Sequence, residues 1–167
     1  QGVSEAQLVA EECIRALTPD AIIGVGIAFG VDAAKQRIGD VLVSTGVNDY
    51  ELQKVKQGVI EPRGLAAPAS PTLLNRFIHL LHCWSPDGTD GKPRIIDGVL
   101  LSGNKLVDDV DYRDSLVKLS GTQIVGGEME GFGIQKPAAK HGGDWMVVKG
   151  ICDFGDGNKG AASKERD

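Results

Sequence analysis

Trp145-Met146-Val147-Val148-Lys149-Gly150-Ile151-Cys152-Asp153-Phe154-Gly155-Asp156 runs from an apolar core into a carboxylate flanked by small residues. A short apolar run bounded by glycine reads as a strand of a buried, largely parallel sheet. In an open α/β sheet the carboxyl ends of such strands are where the ligand sits. A second run, Gln123-Ile124-Val125, leads in the same way into Gly127-Glu128-Met129-Glu130-Gly131. Glu130 and Asp153 therefore have the strongest claim to a functional site.

Outward from these two strands the pattern repeats. Residues 20–25, Val41-Leu42-Val43-Ser44 and Val99-Leu100-Leu101-Ser102 are further short apolar runs. Residues 4–17 place Leu8, Val9, Cys13, Ile14 and Leu17 at helical spacing, with Ser4 as N-cap and Pro19 beyond the end. Residues 73–83 and 112–119 read as a second and a third helix. Strands alternating with helices predict an α/β domain built on a mostly parallel or mixed sheet flanked by helices. Residues 55–71 and 85–93, punctuated by proline and glycine, read as loops.

Composition narrows the function. A chain of 167 residues with 41% hydrophobic and 25% charged residues is an ordinary globular domain. Its apolar runs are far shorter than the roughly 18 to 20 residues of a membrane span, and no charged-then-apolar leader opens it, so no membrane partner is expected. A net charge of −5 argues against a nucleic-acid backbone as partner. Three widely spaced cysteines, Cys13, Cys83 and Cys152, indicate neither a disulfide framework nor a zinc site and fit a reducing, cytoplasmic compartment. His79, His82 and Cys83 share a helix face, which raises a metal site, but packing of that helix on the sheet explains them more simply. Asp108, Asp109, Asp111 and Asp114 lack the calcium-loop pattern and read as a solvated acidic edge. Gly24-x-Gly26 invites a dinucleotide reading, which Phe29 weakens by standing where the fingerprint needs its third glycine.

Glu-Met-Glu-Gly followed by Gly-Ile-Cys-Asp-x-x-Asp resembles the purine nucleoside phosphorylase and methylthioadenosine/S-adenosylhomocysteine nucleosidase superfamily. Two upstream segments agree. Gly24-Val25-Gly26-Ile27-Ala28-Phe29-Gly30-Val31 with Ile38-Gly39-Asp40-Val41-Leu42-Val43-Ser44 is similar to the family's glycine turn and following strand, and Gly98-Val99-Leu100-Leu101-Ser102-Gly103-Asn104 to its Ser-Gly strand. The resemblance implies a three-layer α/β fold, no cofactor, a purine nucleoside or nucleotide as ligand, and assembly into a homo-oligomer.

It also implies roles. Asp153 matches the aspartate that protonates the purine at N7, Glu130 the glutamate that binds the ribose hydroxyls, and Met129 the residue packed beneath the sugar. Glu128 belongs either to the site or to a salt bridge, and Asp156 reads as a turn residue. Ala28 and Phe29 match the turn that lines the ribose, and Leu106 stands where the nucleosidases have an aromatic against the base. Gly24 holds the position of the arginine that binds phosphate in the hexameric phosphorylases, so water is the expected nucleophile. The expected activity is a purine nucleosidase-type hydrolysis of an adenosine-like nucleoside or nucleotide. A nucleoside-binding or sensing module of a larger signalling or defence protein, and a phosphate-dependent phosphorylase, are the competing readings. Family domains open with a strand that carries an acidic residue and close with a helix. Residues 1–167 are accordingly expected to be one domain lacking the first strands and last helix, and inactive in isolation.

Overall fold

The computed structural model describes residues 2–64, 66–83 and 93–157. The elements run α1 (Val3–Leu17), β1 (Ala21–Gly30), β2 (Val41–Asp49), β3 (Gln53–Lys56), β4 (Val59–Pro62), β5 (Ala67–Pro68), α2 (Pro71–Cys83), β6 (Ile95–Ser102), α3 (Val110–Ser120), β7 (Ile124–Glu128), α4 (Gly131–His141) and β8 (Asp144–Asp153). The sheet has the order β5-β2-β6-β7-β1-β8. It is mixed: β2–β6, β6–β7 and β1–β8 are parallel, whereas β1–β7 and β2–β5 are antiparallel. The sheet also curls far enough for Val41–Val43 of β2 to pair antiparallel with Val148–Gly150 of β8. Strands β2, β6, β7, β1 and β8 thus close into a ring, with helices packed against it.

Two apolar clusters fill the domain. One gathers Leu42, Val43, Val47, Leu100, Met146 and Val147, each no more than 1% exposed. The other joins Phe29, Tyr50, Leu101, Val107, Leu116 and Ile124 beneath the carboxyl ends of β1 and β6. Close packing demands small residues where strands and side chains meet. A Cβ on Gly126 would lie 2.7 Å from the Phe29 carbonyl oxygen, and one on Gly127 2.1 Å from the Phe29 ring.

Several expectations need correction. Residues 24–30 form no glycine turn. They are extended β1 backbone, because β1 stays in parallel register with β8 from Ala21 opposite Asp144 to Ala28 opposite Ile151. Nor is the predicted buried strand at residues 20–25 buried: β7 reaches β1 only at Phe29 and Gly30, Val25 is 80% exposed, and burial begins at Ala28. Ser4 lies inside α1, whose N-cap is Gly2, and the Val3 N–H is taken by Asn104 Oδ1 at 3.0 Å. The helix buries Ala10 rather than Leu8 and Leu17, which are exposed. Residues 55–71 are not simply loop, since β3 and β4 form a hairpin turned by Gln57 and Gly58, both with positive φ. The four aspartates are exposed, as expected of an acidic edge; Asp109 is also the N-cap of α3, its Oδ1 accepting the Tyr112 N–H, and Asp108 accepts the Gly157 N–H. Residues 85–92 of the second predicted loop, and the side chains of His82 and Cys83, lie outside the described residues.

Helix α4 has no counterpart in the sequence reading. It packs on β1, β2 and β8 and is covered by α1, with Gly133 at the crossing. A Cβ there would sit 2.2 Å from the Val3 carbonyl oxygen and 2.9 Å from the Ala6 Cβ, so α1 backbone would have to move. Gly133→Ala is expected to destabilise the fold by about 1–3 kcal/mol, as overpacking does, measured by urea unfolding. Gly150→Ala, where a methyl meets nothing within 4 Å, is the control.

Candidate active site

Ala28, Phe29, Leu106, Glu128, Met129, Glu130 and Asp153, all singled out from the sequence, lie on the wall of one cleft of about 370 Å³. Three strands deliver them: β1 brings Ala28 and Phe29, β7 ends at Glu128, and β8 ends at Asp153. Leu106, 68% exposed, follows β6 and presents an aliphatic surface to the cleft. Asp156 is exposed in the bend after β8 and does not line the cleft.

A bulge sets the geometry at Asp153. The β1–β8 register passes from Ala28 opposite Ile151 to Phe29 opposite Asp153, leaving Cys152 as the extra residue. Bulges re-aim side chains, and here the adjacent Cys152 and Asp153 both reach the cleft. Asp153 is 8% exposed. Its Oδ1 accepts the Gly155 N–H at 2.8 Å, and the Cys152 thiol lies 3.2 Å from Oδ2. Beyond it the chain is anchored by Arg113 of α3, whose Nη1 donates to the Phe154 carbonyl at 2.6 Å.

The second carboxylate centre is a three-group ion cluster. Glu128, buried at the end of β7, accepts the backbone N–H groups of Glu130 and Gly131 on one oxygen, Oε2, at 2.9 and 2.8 Å. It thereby caps α4 and satisfies N-terminal donors that a helix leaves unpaired. Lys149 Nζ lies 3.1 Å from the same Oε2 and 2.7 Å from Glu130 Oε2. The lysine side chain is 3% exposed and that of Glu128 0%, whereas that of Glu130 is 31% exposed. Two carboxylates share one ammonium, so the cluster carries one net negative charge beside the cleft. Glu128 is thus salt-bridged and on the cleft wall at once. Its Oε1 is buried without a hydrogen-bond partner among the described residues.

Other contributors had weaker signals. Lys149, inside an apolar strand, was legible as an anomaly, since lysine is rarely buried unless paired. Ser102 Oγ accepts the Phe132 N–H at 2.9 Å and ties the end of β6 to α4. Tyr50 lies beneath the segment that follows β6, its hydroxyl donating to the Lys105 carbonyl at 3.0 Å. Burial, with Glu51 nearby, pushes that phenol up, so it stays protonated. Among the described residues, no group of three or more His, Cys, Asp or Glu side chains is placed to hold a metal ion. No described helix is long and apolar enough to cross a membrane.

A sequence model of the phosphorylase superfamily matches residues 1–167. A death domain-containing ATP nucleosidase from Amphimedon queenslandica is 30% identical over 176 aligned residues, covering 95% of this chain and 33% of that protein. The chain therefore spans about a third of the length of this relative. Among solved structures, the 5′-methylthioadenosine/S-adenosylhomocysteine nucleosidase of Helicobacter pylori, in complex with a substituted pyrrolidin-3-ol, superposes with a TM-score of 0.81 at 20% identity, over 98% of this chain and 68% of that one. The S-adenosylhomocysteine nucleosidase of Streptococcus pyogenes gives 0.79 at 20% identity, over 98% and 67%. Futalosine hydrolase of Helicobacter pylori gives 0.81 at 18%, over 98% and 68%. At such identities these structures establish a shared fold.

Proposed function

The chain belongs to the phosphorylase superfamily, and from that premise we propose that it is a hydrolase cleaving the N-ribosidic bond of an adenosine-like nucleoside or nucleotide. The observation that carries the reading is the meeting of Asp153, Glu130 and Met129 on one cleft wall, beside Ala28 and Phe29. Breaking the bond leaves positive charge on the ribose and negative charge on the base. Asp153 gives its proton to the purine N7 as the C1′–N9 electron pair moves onto the base. Glu130 holds the ribose hydroxyls, with its carboxylate fixed by Lys149 and the net negative charge of the cluster facing the ribosyl cation. Met129 packs under the sugar and Leu106 against the base.

A nucleotide is the favoured substrate. The Amphimedon queenslandica relative is named an ATP nucleosidase, and Lys105 adds a cation to the same cleft wall. The family resemblance also supports a homo-oligomer in the cytoplasm.

Water is the proposed acceptor of the ribosyl group. The position of the phosphorylase arginine is Gly24, and a Cβ there would lie 2.4 Å from the Ile134 Cδ1, so an arginine would have to displace that methyl. Base release by the full-length protein from an adenine nucleoside or nucleotide is expected to be independent of added phosphate, with an unphosphorylated C1 on the sugar product. Chromatography of base and sugar checks both. A strict phosphate requirement would favour a phosphorylase, and ligand binding without base release would favour a sensing module.

A further inference from the structure

Leu106 lines the cleft yet is 68% exposed, so packing does not hold it and its place is set by the residues around it. Val107, 2% exposed, belongs to the second apolar cluster. The Lys105 carbonyl takes the Tyr50 hydroxyl, and a Cβ on Gly103 would lie 2.5 Å from the Tyr50 ring. Between Gly103 and Lys105 stands Asn104, an exposed residue that does not itself line the cleft. Its Oδ1 accepts the Val3 N–H at 3.0 Å, and its Nδ2 donates to Glu51 Oε2 at 2.9 Å. One orientation of the amide serves both partners, since the backbone N–H needs the oxygen and the carboxylate needs the NH2.

Those partners lie 101 and 53 residues away along the chain. The N-cap of α1 is Gly2, which has no side chain to offer, so one of the donors that a helix leaves unpaired at its start is satisfied from across the fold. At an exposed place water serves the same groups nearly as well, and the two bonds therefore add little to stability. Their consequence is positional: they tie the start of segment 104–107 to α1 on one side and to the residue after Tyr50 on the other. Resting on the hydrolase reading above, in which Leu106 packs against the base, we propose that Asn104 is a positioning residue that fixes the base-side wall of the cleft. It acts through Leu106 and touches no substrate atom.

The groups that break the bond stand elsewhere. Asp153 ends β8 and Glu130 is the N-cap of α4, so loosening segment 104–107 leaves both in place. Base binding should weaken while the chemical step is preserved, which raises KM and leaves kcat nearly unchanged.

Substitutions in the full-length protein separate the two bonds. Asn104→Ala removes both. Val3→Pro removes only the N–H that Asn104 accepts, at the first helical position, where proline is well accommodated. Gly2 before it has ψ of −175°, the extended backbone that a residue preceding proline adopts. Asn104→Asp keeps an acceptor for Val3 but sets a carboxylate against Glu51. Adding Glu51→Gln reverses that bond, with the glutamine amide now the donor, and Glu51→Gln alone keeps an acceptor for Asn104 and is the control.

The readouts are the Kd of free adenine by calorimetry, kcat and KM for base release from an adenine nucleotide, and the urea midpoint. Asn104→Ala and Asn104→Asp are expected to raise Kd and KM about three- to tenfold, and Val3→Pro about two- to threefold, the scale of one or two hydrogen bonds. The Asn104→Asp/Glu51→Gln protein should return to within about twofold of wild type, and the Asn104→Ala effect should shrink in a Leu106→Ala background, where the contact it serves is gone. A residue that only holds the fold together would move the urea midpoint and leave Kd alone. That result, or an Asn104→Asp defect that Glu51→Gln does not repair, would overturn the proposal and leave the hydrolase reading intact. Wild-type protein that binds adenine but releases none from the nucleotide would remove the hydrolase reading, while the adenine Kd of the variants still decides the role of Asn104. Wild-type protein that neither binds nor releases adenine would overturn both.

Discussion

Asp153→Asn is expected to lower the rate of base release by about 10² to 10⁴, the usual contribution of a general acid, with little change in stability. The substitution keeps the shape of the side chain. Its amide oxygen can still accept the Gly155 N–H that Asp153 Oδ1 accepts at 2.8 Å, and the bulge that places residue 153 is set by the β1–β8 register, not by the carboxylate. What the asparagine lacks is a transferable proton. The loss should appear in kcat more than in KM, because the proton moves only as the bond breaks. Timed chromatography of free base from an adenine nucleotide, with circular dichroism to compare the folds, checks it. An asparagine variant with full activity would refute Asp153 as the acid and would direct the search to Glu128 and Glu130 on the same wall.

How much of this was legible beforehand depends on whether the signal was local. The strands β2, β6, β7 and β8 were visible as apolar runs ending in small residues, because a strand covered on both faces needs apolar side chains along its length. Glu130 and Asp153 followed from those ends. The closure of the sheet was not legible: it depends on Val41–Val43 pairing with Val148–Gly150, more than a hundred residues apart, and no local period records such a partner. Helix α4 was hidden by its own composition. Gly131, Gly133 and Pro137 are poor helix formers, but Gly133 admits the backbone of α1, and Gly131 lies against Glu128 Oε1, where a Cβ would come within 2.8 Å. Tertiary packing overrides propensity there. The β3–β4 hairpin, by contrast, did leave a mark. Gln57 and Gly58 have φ of 51° and 81°, the pair of positive values a tight hairpin turn requires, and Gly58 between Lys54-Val55-Lys56 and Val59-Ile60 was its trace.

The lysine of the ion cluster is where the sequence signal was present and its consequence was missed. Lys149 interrupts a strand whose neighbours Met146, Val147 and Ile151 are at most 2% exposed, and a lysine so placed needs carboxylates to hold it. Lys149→Met keeps length and apolar volume but removes the shared ammonium. Glu128, whose side chain is 0% exposed, then keeps its two backbone donors but loses its cation, and it faces Glu130 with nothing between to offset like charges. Breaking a buried pair in this way typically costs about 3–5 kcal/mol, so the variant should unfold at markedly lower urea concentration near neutral pH. Substrate binding should fall as well, since the Lys149 bond of 2.7 Å fixes the Glu130 carboxylate. Glu128→Gln combined with Lys149→Met removes both buried charges and should recover part of the lost stability without restoring Glu130 to its bound orientation. Urea titrations of the two variants at neutral pH test the argument. A Lys149→Met protein as stable as the parent at neutral pH would mean that water reaches the Glu128 carboxylate, and the cluster would then be a solvated ion pair at the cleft edge.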